Sequence, residues 1–136
     1  MVKLIMGLKG SGKTKQLVDL IAKAVEEETG SIVCIEKGKN LTYDIPYSVR
    51  LIHAGDYAVG SVEFFKGLIS GIHAGNYDIC HVFIDNFFKI VEFENDQQIA
   101  EMLGWLEAFS VRENVRFTIS ATRDIASATE EMKQYF

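Results

Sequence analysis

The residues best suited to chemistry lie close to the N-terminus. Residues 7–14 read Gly-Leu-Lys-Gly-Ser-Gly-Lys-Thr. Glycines at this spacing let the backbone curl so that successive N–H groups point at phosphate oxygens. The ammonium of Lys13 can reach the outer phosphates of a nucleotide, and the hydroxyl of Thr14 can ligate Mg²⁺. We therefore predict a phosphate-binding segment, the P-loop, formed by Gly7, Leu8, Lys9, Gly10, Ser11, Gly12, Lys13, Thr14 and Lys15.

The sequence around this segment has the pattern that the motif requires. An apolar run, Val2–Met6, precedes the glycines and predicts a strand. Apolar residues from Leu17 to Val25 recur at helical spacing, which predicts a helix from Lys13 to near Gly30. In a strand–loop–helix unit, the positive end of the helix dipole adds to the attraction for phosphate.

A carboxylate at the end of a later predicted strand is a candidate metal ligand. The apolar run 79–84 ends at Asp85, which we predict to hold Mg²⁺ together with Thr14. The alternative is that Asp85 only caps the strand or the turn after it. Catalysis would use Lys13 together with groups that orient water and neutralise charge.

Two residues are candidates for those remaining catalytic roles. Asn86 follows Asp85, where many ATPases carry a glutamate, so Glu36, at the end of run 31–36, is the candidate for orienting water. Arg123 is the candidate for neutralising transition-state charge, in this subunit or a neighbouring one. The alternatives are a solvated strand-end glutamate and a surface arginine.

Apolar patterning along the rest of the chain predicts an α/β fold. We expect further strands at 31–36, 49–53, 79–85 and 116–120, with helices beginning near Ser61, at Asn95–Gln98 and at Ser127–Glu130. Alternating strands and helices predict a three-layer sandwich, with a mostly parallel sheet covered by helices on both faces. The length of 136 residues fits a single domain, 1–136.

The net charge and the hydrophobic pattern of the chain bear on whether it binds nucleic acid or enters a membrane. A formal net charge of −5 disfavours nucleic acid as a partner. Neither a signal peptide nor a membrane-spanning run is apparent, so we expect a cytoplasmic protein without membrane insertion.

Cys34 and Cys80 are isolated in apolar runs and are expected in the core, and His81 is expected to be a packed histidine.

With these residues in place, the chain resembles the RecA-like branch of P-loop NTPases. The resemblance implies that Glu36 is the catalytic glutamate, that Asp85 is the metal-site aspartate, and that Ser120 or Thr122 senses the terminal phosphate. It also implies that strand 116–120 lies between the P-loop strand and the Asp85 strand. The chain is similar, too, to small bacterial proteins labelled twitching-motility (pilus-retraction) ATPases.

The sequence thus predicts a Mg²⁺-dependent ATP-binding protein that hydrolyses the β–γ phosphate bond of ATP, alone or with a homo-oligomer or protein partner completing the site. One alternative is a nucleotide-gated interaction module with little turnover, which Asn86 and the aromatic residues Phe87, Phe88 and Phe93 favour. A small-molecule or nucleotide kinase is another. A GTPase is disfavoured, because the chain contains no Asn-Lys-x-Asp sequence.

Overall fold

Strands and helices alternate along the chain in the computed structural model, which describes residues 1–136. The strands are β1 (Val2–Gly7), β2 (Ser31–Glu36), β3 (Arg50–His53), β4 (Ile79–Ile84) and β5 (Arg116–Thr122). The helices are α1 (Lys13–Glu27), α2 (Val62–Gly75), α3 (Phe87–Ile90), α4 (Asp96–Glu113) and α5 (Glu130–Lys133). Two 3₁₀ turns, Ala54–Asp56 and Ile125–Ser127, complete the secondary structure. None of the helices combines the length and apolar character needed to cross a membrane.

The five strands form one sheet in the order β1-β5-β4-β2-β3, and every neighbouring pair is parallel. Strand β5 therefore lies between β1 and β4, which is the position expected for the strand at 116–120. Because all strands run in one direction, their carboxyl ends meet at one edge of the sheet, where open α/β sheets bind ligands. The loop after β1, the turn after β4 and the end of β5 all lie along this edge.

Apolar side chains cover both faces of the sheet. In β2, Ile32 and Cys34 pack in a cluster with Leu17 and Ile21 of α1, whereas Val33 and Ile35 point into a larger cluster on the other face. That larger cluster contains side chains from α2 and α4. The fold is therefore α/β with a parallel sheet and helices on both faces, consistent with the expected three-layer arrangement.

The structure differs from the sequence prediction at the end of one helix and at the N-cap of another. Helix α1 ends at Glu27 rather than near Gly30, and a side chain at Gly30 would lie 2.6 Å from the carbonyl oxygen of Asp78. Gly30 is therefore required for close packing and not for capping. The last helix starts at Glu130, within the predicted segment Ser127–Glu130, but its N-cap is Thr129 and not Ser127, because the Ser127 hydroxyl already donates to the Asp124 carbonyl and accepts from Arg123.

Helices α2 and α4 begin where the sequence predicts helices to begin. Ser61 caps α2 by accepting from the N–H of Phe64, and Asn95 caps α4 by accepting from the N–H of Gln98 at 2.9 Å.

Candidate functional site

The loop between β1 and α1 depends on its glycines. Gly10 and Gly12 have φ angles of 84° and 85°, in the left-handed region where a side chain would be strained. A side chain at Gly7 would lie 2.5 Å from the hydroxyl of Ser11. Gly12 immediately precedes α1, so the tight loop leads directly into the positive end of that helix.

Lys13 is the first residue of α1, and its side chain folds back over the loop. Its ammonium donates to the Leu8 carbonyl at 2.9 Å and lies 3.5 Å from the Ser11 hydroxyl. It has no carboxylate partner among the ion pairs of the protein. A phosphate oxygen would offer this ammonium a charged acceptor in place of neutral ones, and such hydrogen bonds are stronger.

Asp85 follows β4 and accepts two hydroxyl hydrogen bonds at one carboxylate oxygen. Thr14 Oγ1 donates to Oδ1 at 3.3 Å, and Ser120 Oγ donates to the same oxygen at 2.9 Å. The two residues predicted to share a metal therefore meet across 71 positions of sequence. Mg²⁺ prefers such oxygen ligands and keeps waters and phosphates as its other ligands. The protein contains no group of three or more His, Cys, Asp or Glu side chains placed to hold a metal ion.

Asn86 fixes the turn after Asp85. Its φ of 59° is left-handed, a conformation that Asn adopts more readily than most residues. Its N–H donates to Ser120 Oγ at 2.8 Å, and its side-chain oxygen accepts from Thr122 at 3.2 Å. Sequence reasoning treated Asn86 only as a missing glutamate. The tolerance of Asn for left-handed turns was the signal for this structural role.

These side chains surround a cavity of about 460 Å³ at the carboxyl edge of the sheet. Its eleven lining residues include no hydrophobic one: they are Lys9, Gly10, Gly12, Lys13, Thr14, Lys15, Asp85, Asn86, Lys89, Ser120 and Thr122. Four of them are lysines and one is an aspartate, so the cavity is electropositive. A cavity with this lining is suited to a polyanion with a divalent cation.

Glu36 lies outside this cavity. The residue is 2% exposed, and its carboxylate accepts from the N–H groups of Asn40, at 2.9 Å, and Leu41, at 3.2 Å. The ring of His53 is 3.6 Å away. The carboxylate thus holds the loop after β2, although the register of Ile35 with Ile84 places Glu36 only one strand away from Asp85. Its role in orienting water stays a prediction without support from this geometry.

Arg123 does not line the cavity either. Its guanidinium forms two hydrogen bonds with the Asp96 carboxylate, at 2.7 and 3.0 Å, and two more with Ser127. The hydrogen bonds with Asp96 raise the pKa of Arg123 and lower the pKa of Asp96. Arg123 therefore joins the end of β5 to the first turn of α4. Its guanidinium does not line the cavity beside the phosphate loop, so its role in neutralising transition-state charge stays a prediction.

The three phenylalanines after Asp85 pack on one another. Phe87 is fully buried, and its ring lies 5.3 Å from Phe93 and 6.2 Å from Phe88, measured between centroids. Phe88 and Phe93 are half-buried against the larger core cluster. Their main contribution is to hold α3 against the sheet.

His81 of β4 forms a buried polar contact with Thr118 of β5 and with Glu28, away from the cavity. The His81 ring contacts the Glu28 carboxylate at 2.9 Å through Nδ1 and the Thr118 hydroxyl at 2.7 Å through Nε2. Burial lowers the pKa of His81 despite the contact with Glu28. His81 is only 8% exposed, so the prediction of a packed histidine is confirmed. Cys34 is likewise fully buried, and burial raises the pKa of its thiol.

Comparison with known proteins gave no match, either to a protein-family model or to a curated protein.

Proposed function

We propose that this chain is a Mg²⁺-dependent ATP-binding P-loop protein, with a RecA-like core, that hydrolyses the β–γ phosphate bond of ATP. The observation that supports this best is the meeting of Thr14 and Asp85, at 3.3 Å, beside the glycine loop that carries Lys13. A P-loop NTPase needs a phosphate-binding loop and, at the same cavity, a hydroxyl and a carboxylate that hold Mg²⁺, which are Thr14 and Asp85 in this proposal.

Each residue of the cavity has a role in this proposal. The N–H groups of the glycine loop and the ammonium of Lys13 bind the phosphates. Thr14 and Asp85 hold Mg²⁺, which neutralises charge on the outer phosphates when bound. Ser120 keeps the Asp85 carboxylate in position, because its hydroxyl is buried and donates to it at 2.9 Å.

The second candidate function is nucleotide-gated binding with little turnover. The placement of Glu36 and Arg123 favours it, because both predicted catalytic side chains are engaged away from the cavity. Asp85 is then the only carboxylate lining the cavity. Such a site would bind nucleotide well and hydrolyse it slowly, or would need a partner that supplies the missing group.

Release of phosphate from Mg-ATP by the purified protein distinguishes these functions. We expect turnover in the wild type, loss of turnover in Lys13→Ala, and wild-type turnover in Lys23→Ala. Lys23 is a matched control because it is an exposed lysine on the same helix, outside the cavity. Binding of ATP without phosphate release would instead support the nucleotide-gated module.

A kinase, the remaining alternative from the sequence, would give a third result. It would form ADP only when an acceptor is added, without a matching release of free phosphate. Measuring ADP and phosphate in the same reaction therefore distinguishes a kinase from an ATPase.

A further inference from the structure

Lys89 is a cation of the cavity that neither the glycine loop nor the predicted catalytic set includes. It is exposed, it lines the cavity, and its ammonium takes part in none of the ion pairs of the protein. By contrast, the ammonium of Lys15, which also lines the cavity, lies 3.0 Å from the Asp19 carboxylate. Lys89 is therefore free to bind an anion in the cavity.

The backbone that carries Lys89 is held firmly. Lys89 lies on α3, and the neighbouring side chains Phe87 and Ile90 are 0% and 1% exposed. Its N–H donates to the Asn86 carbonyl at 3.0 Å, and Asn86 is itself fixed by Ser120. A cation on a fixed backbone loses less conformational entropy on binding than one on a mobile loop.

The order of the strands places Lys89 on the side of the cavity opposite the glycine loop. The cavity extends from the loop after β1, past the end of β5 with Ser120, to the turn after β4 with Asp85 and Lys89. A nucleotide whose inner phosphates occupy the glycine loop directs its terminal phosphate toward Thr14 and Asp85, the proposed ligands of Mg²⁺. Lys89 lies on α3, which follows Asp85 and its turn, and it lines the cavity together with Asp85, so it belongs to the terminal-phosphate side.

We propose that Lys89 binds the terminal phosphate of a nucleoside triphosphate and makes this site prefer ATP to ADP. This inference rests on the proposed function, since it assigns a specificity residue to the same cavity. It also names a source of positive charge within the subunit, in place of Arg123, whose guanidinium is engaged by Asp96.

Calorimetric titration of the full chain with Mg-ATP and with Mg-ADP tests the proposal. We expect Lys89→Ala to weaken ATP binding at least about tenfold, the lower limit for one lost charged hydrogen bond, and to leave ADP binding unchanged. Lys89→Met, which keeps the aliphatic stem, should behave like the alanine variant, and Lys89→Arg should restore most of the ATP affinity. Lys13→Ala should weaken both nucleotides, and Lys23→Ala neither.

The two ways of failing are distinguishable. If the wild type binds both nucleotides but the Lys89 variants lose equal affinity for each, or none, Lys89 has no role at the terminal phosphate and the proposed function stands. If the wild type binds neither nucleotide, both the inference and the proposed function are wrong. Lys89 is exposed, so unchanged melting temperatures should show that its variants remain folded.

Discussion

One carboxylate oxygen of Asp85 connects the helix after the phosphate loop with the neighbouring strand β5, through Thr14 and Ser120. An Asn at position 85 keeps an oxygen that both hydroxyls can donate to, but removes the charge that Mg²⁺ requires. We therefore expect Asp85→Asn to fold normally and to lose the difference between ATP affinity with Mg²⁺ and with EDTA. Titration under both conditions measures this, and a variant that keeps the full difference would show that Asp85 holds no metal.

Glu36 gives a prediction about stability. Replacing it with Ala leaves the buried N–H of Leu41 without an acceptor, so we expect a loss of about 1–3 kcal/mol in the free energy of unfolding. Glu36→Gln retains one acceptor oxygen and should lose less. Urea unfolding measures both, with the exposed Glu26→Ala as the control. Wild-type stability in Glu36→Ala, together with lost turnover, would instead favour the catalytic role that the sequence suggested.

Among single residues, the sequence predicted positions better than side-chain directions. Thr14 and Asp85 could be paired in advance, because a helix start and a strand end meet at one edge of a parallel sheet. The partner of Arg123 could not, since Asp96 is 27 residues away and belongs to another helix. The direction of Glu36 depends on the conformation of the loop after β2, for which apolar periodicity gives no information.

Three elements are joined by His81, and this contact makes stability depend on pH. His81 on β4 contacts Glu28, which directly follows α1, and Thr118 on β5. Burial lowers the pKa of His81 in the folded protein below its ordinary value of 6.5, and the Arg116 charge acts in the same direction. As the pH falls below about 6.5, the unfolded chain takes up a proton that the folded protein resists, so stability decreases.

We expect the urea concentration at the unfolding midpoint of the wild type to decrease as the pH is lowered from about 7.5 to about 5.5. Ordinary carboxylates titrate below this range. His81→Gln should have a lower midpoint at the upper pH and a smaller change across this range. An equal pH dependence in the variant would show that another group causes it.

At the level of elements, apolar runs predicted all five strands, including the four-residue β3, whereas the short helix α3 was not predicted. The strands ending at Glu36 and Ile84 follow from continuous apolar runs, and the N-cap of α4 follows from Asn95. Helix α3 has four residues, too few for a periodic pattern, and it was missed although it carries Lys89. The end of α1 was misplaced because Gly30 resembles a helix cap but serves close packing against Asp78.

For the whole molecule, ligand binding should raise thermal stability by mass action. With Mg-ATP at about 100 times its dissociation constant, the folded state gains about 2.7 kcal/mol, which for a domain of this size corresponds to roughly 8 °C in Tm. Lys13→Ala should shift by about half as much or less, because a loss of at least about tenfold in affinity leaves at most about 1.4 kcal/mol of stabilisation, and Lys23→Ala should shift as the wild type does. A rise in Tm that Lys13→Ala retains in full would place the nucleotide elsewhere on the protein.

The parallel α/β architecture could be predicted because strands alternate with helices along the chain, and helices cover both faces of the sheet. The position of β5 between β1 and β4 came from the RecA-like resemblance and not from patterning. Membership of that branch remains a proposal, since one strand order is shared by proteins of differing function.

The most direct test of nucleotide binding at the glycine loop is equilibrium titration of the wild type and Lys13→Ala with Mg-ATP, performed side by side. Our account predicts saturable binding at one site per chain in the wild type and a loss of at least about tenfold in affinity in the variant, since one charged hydrogen bond to phosphate is removed. Equal affinity in the two proteins, or no binding in the wild type, would contradict it.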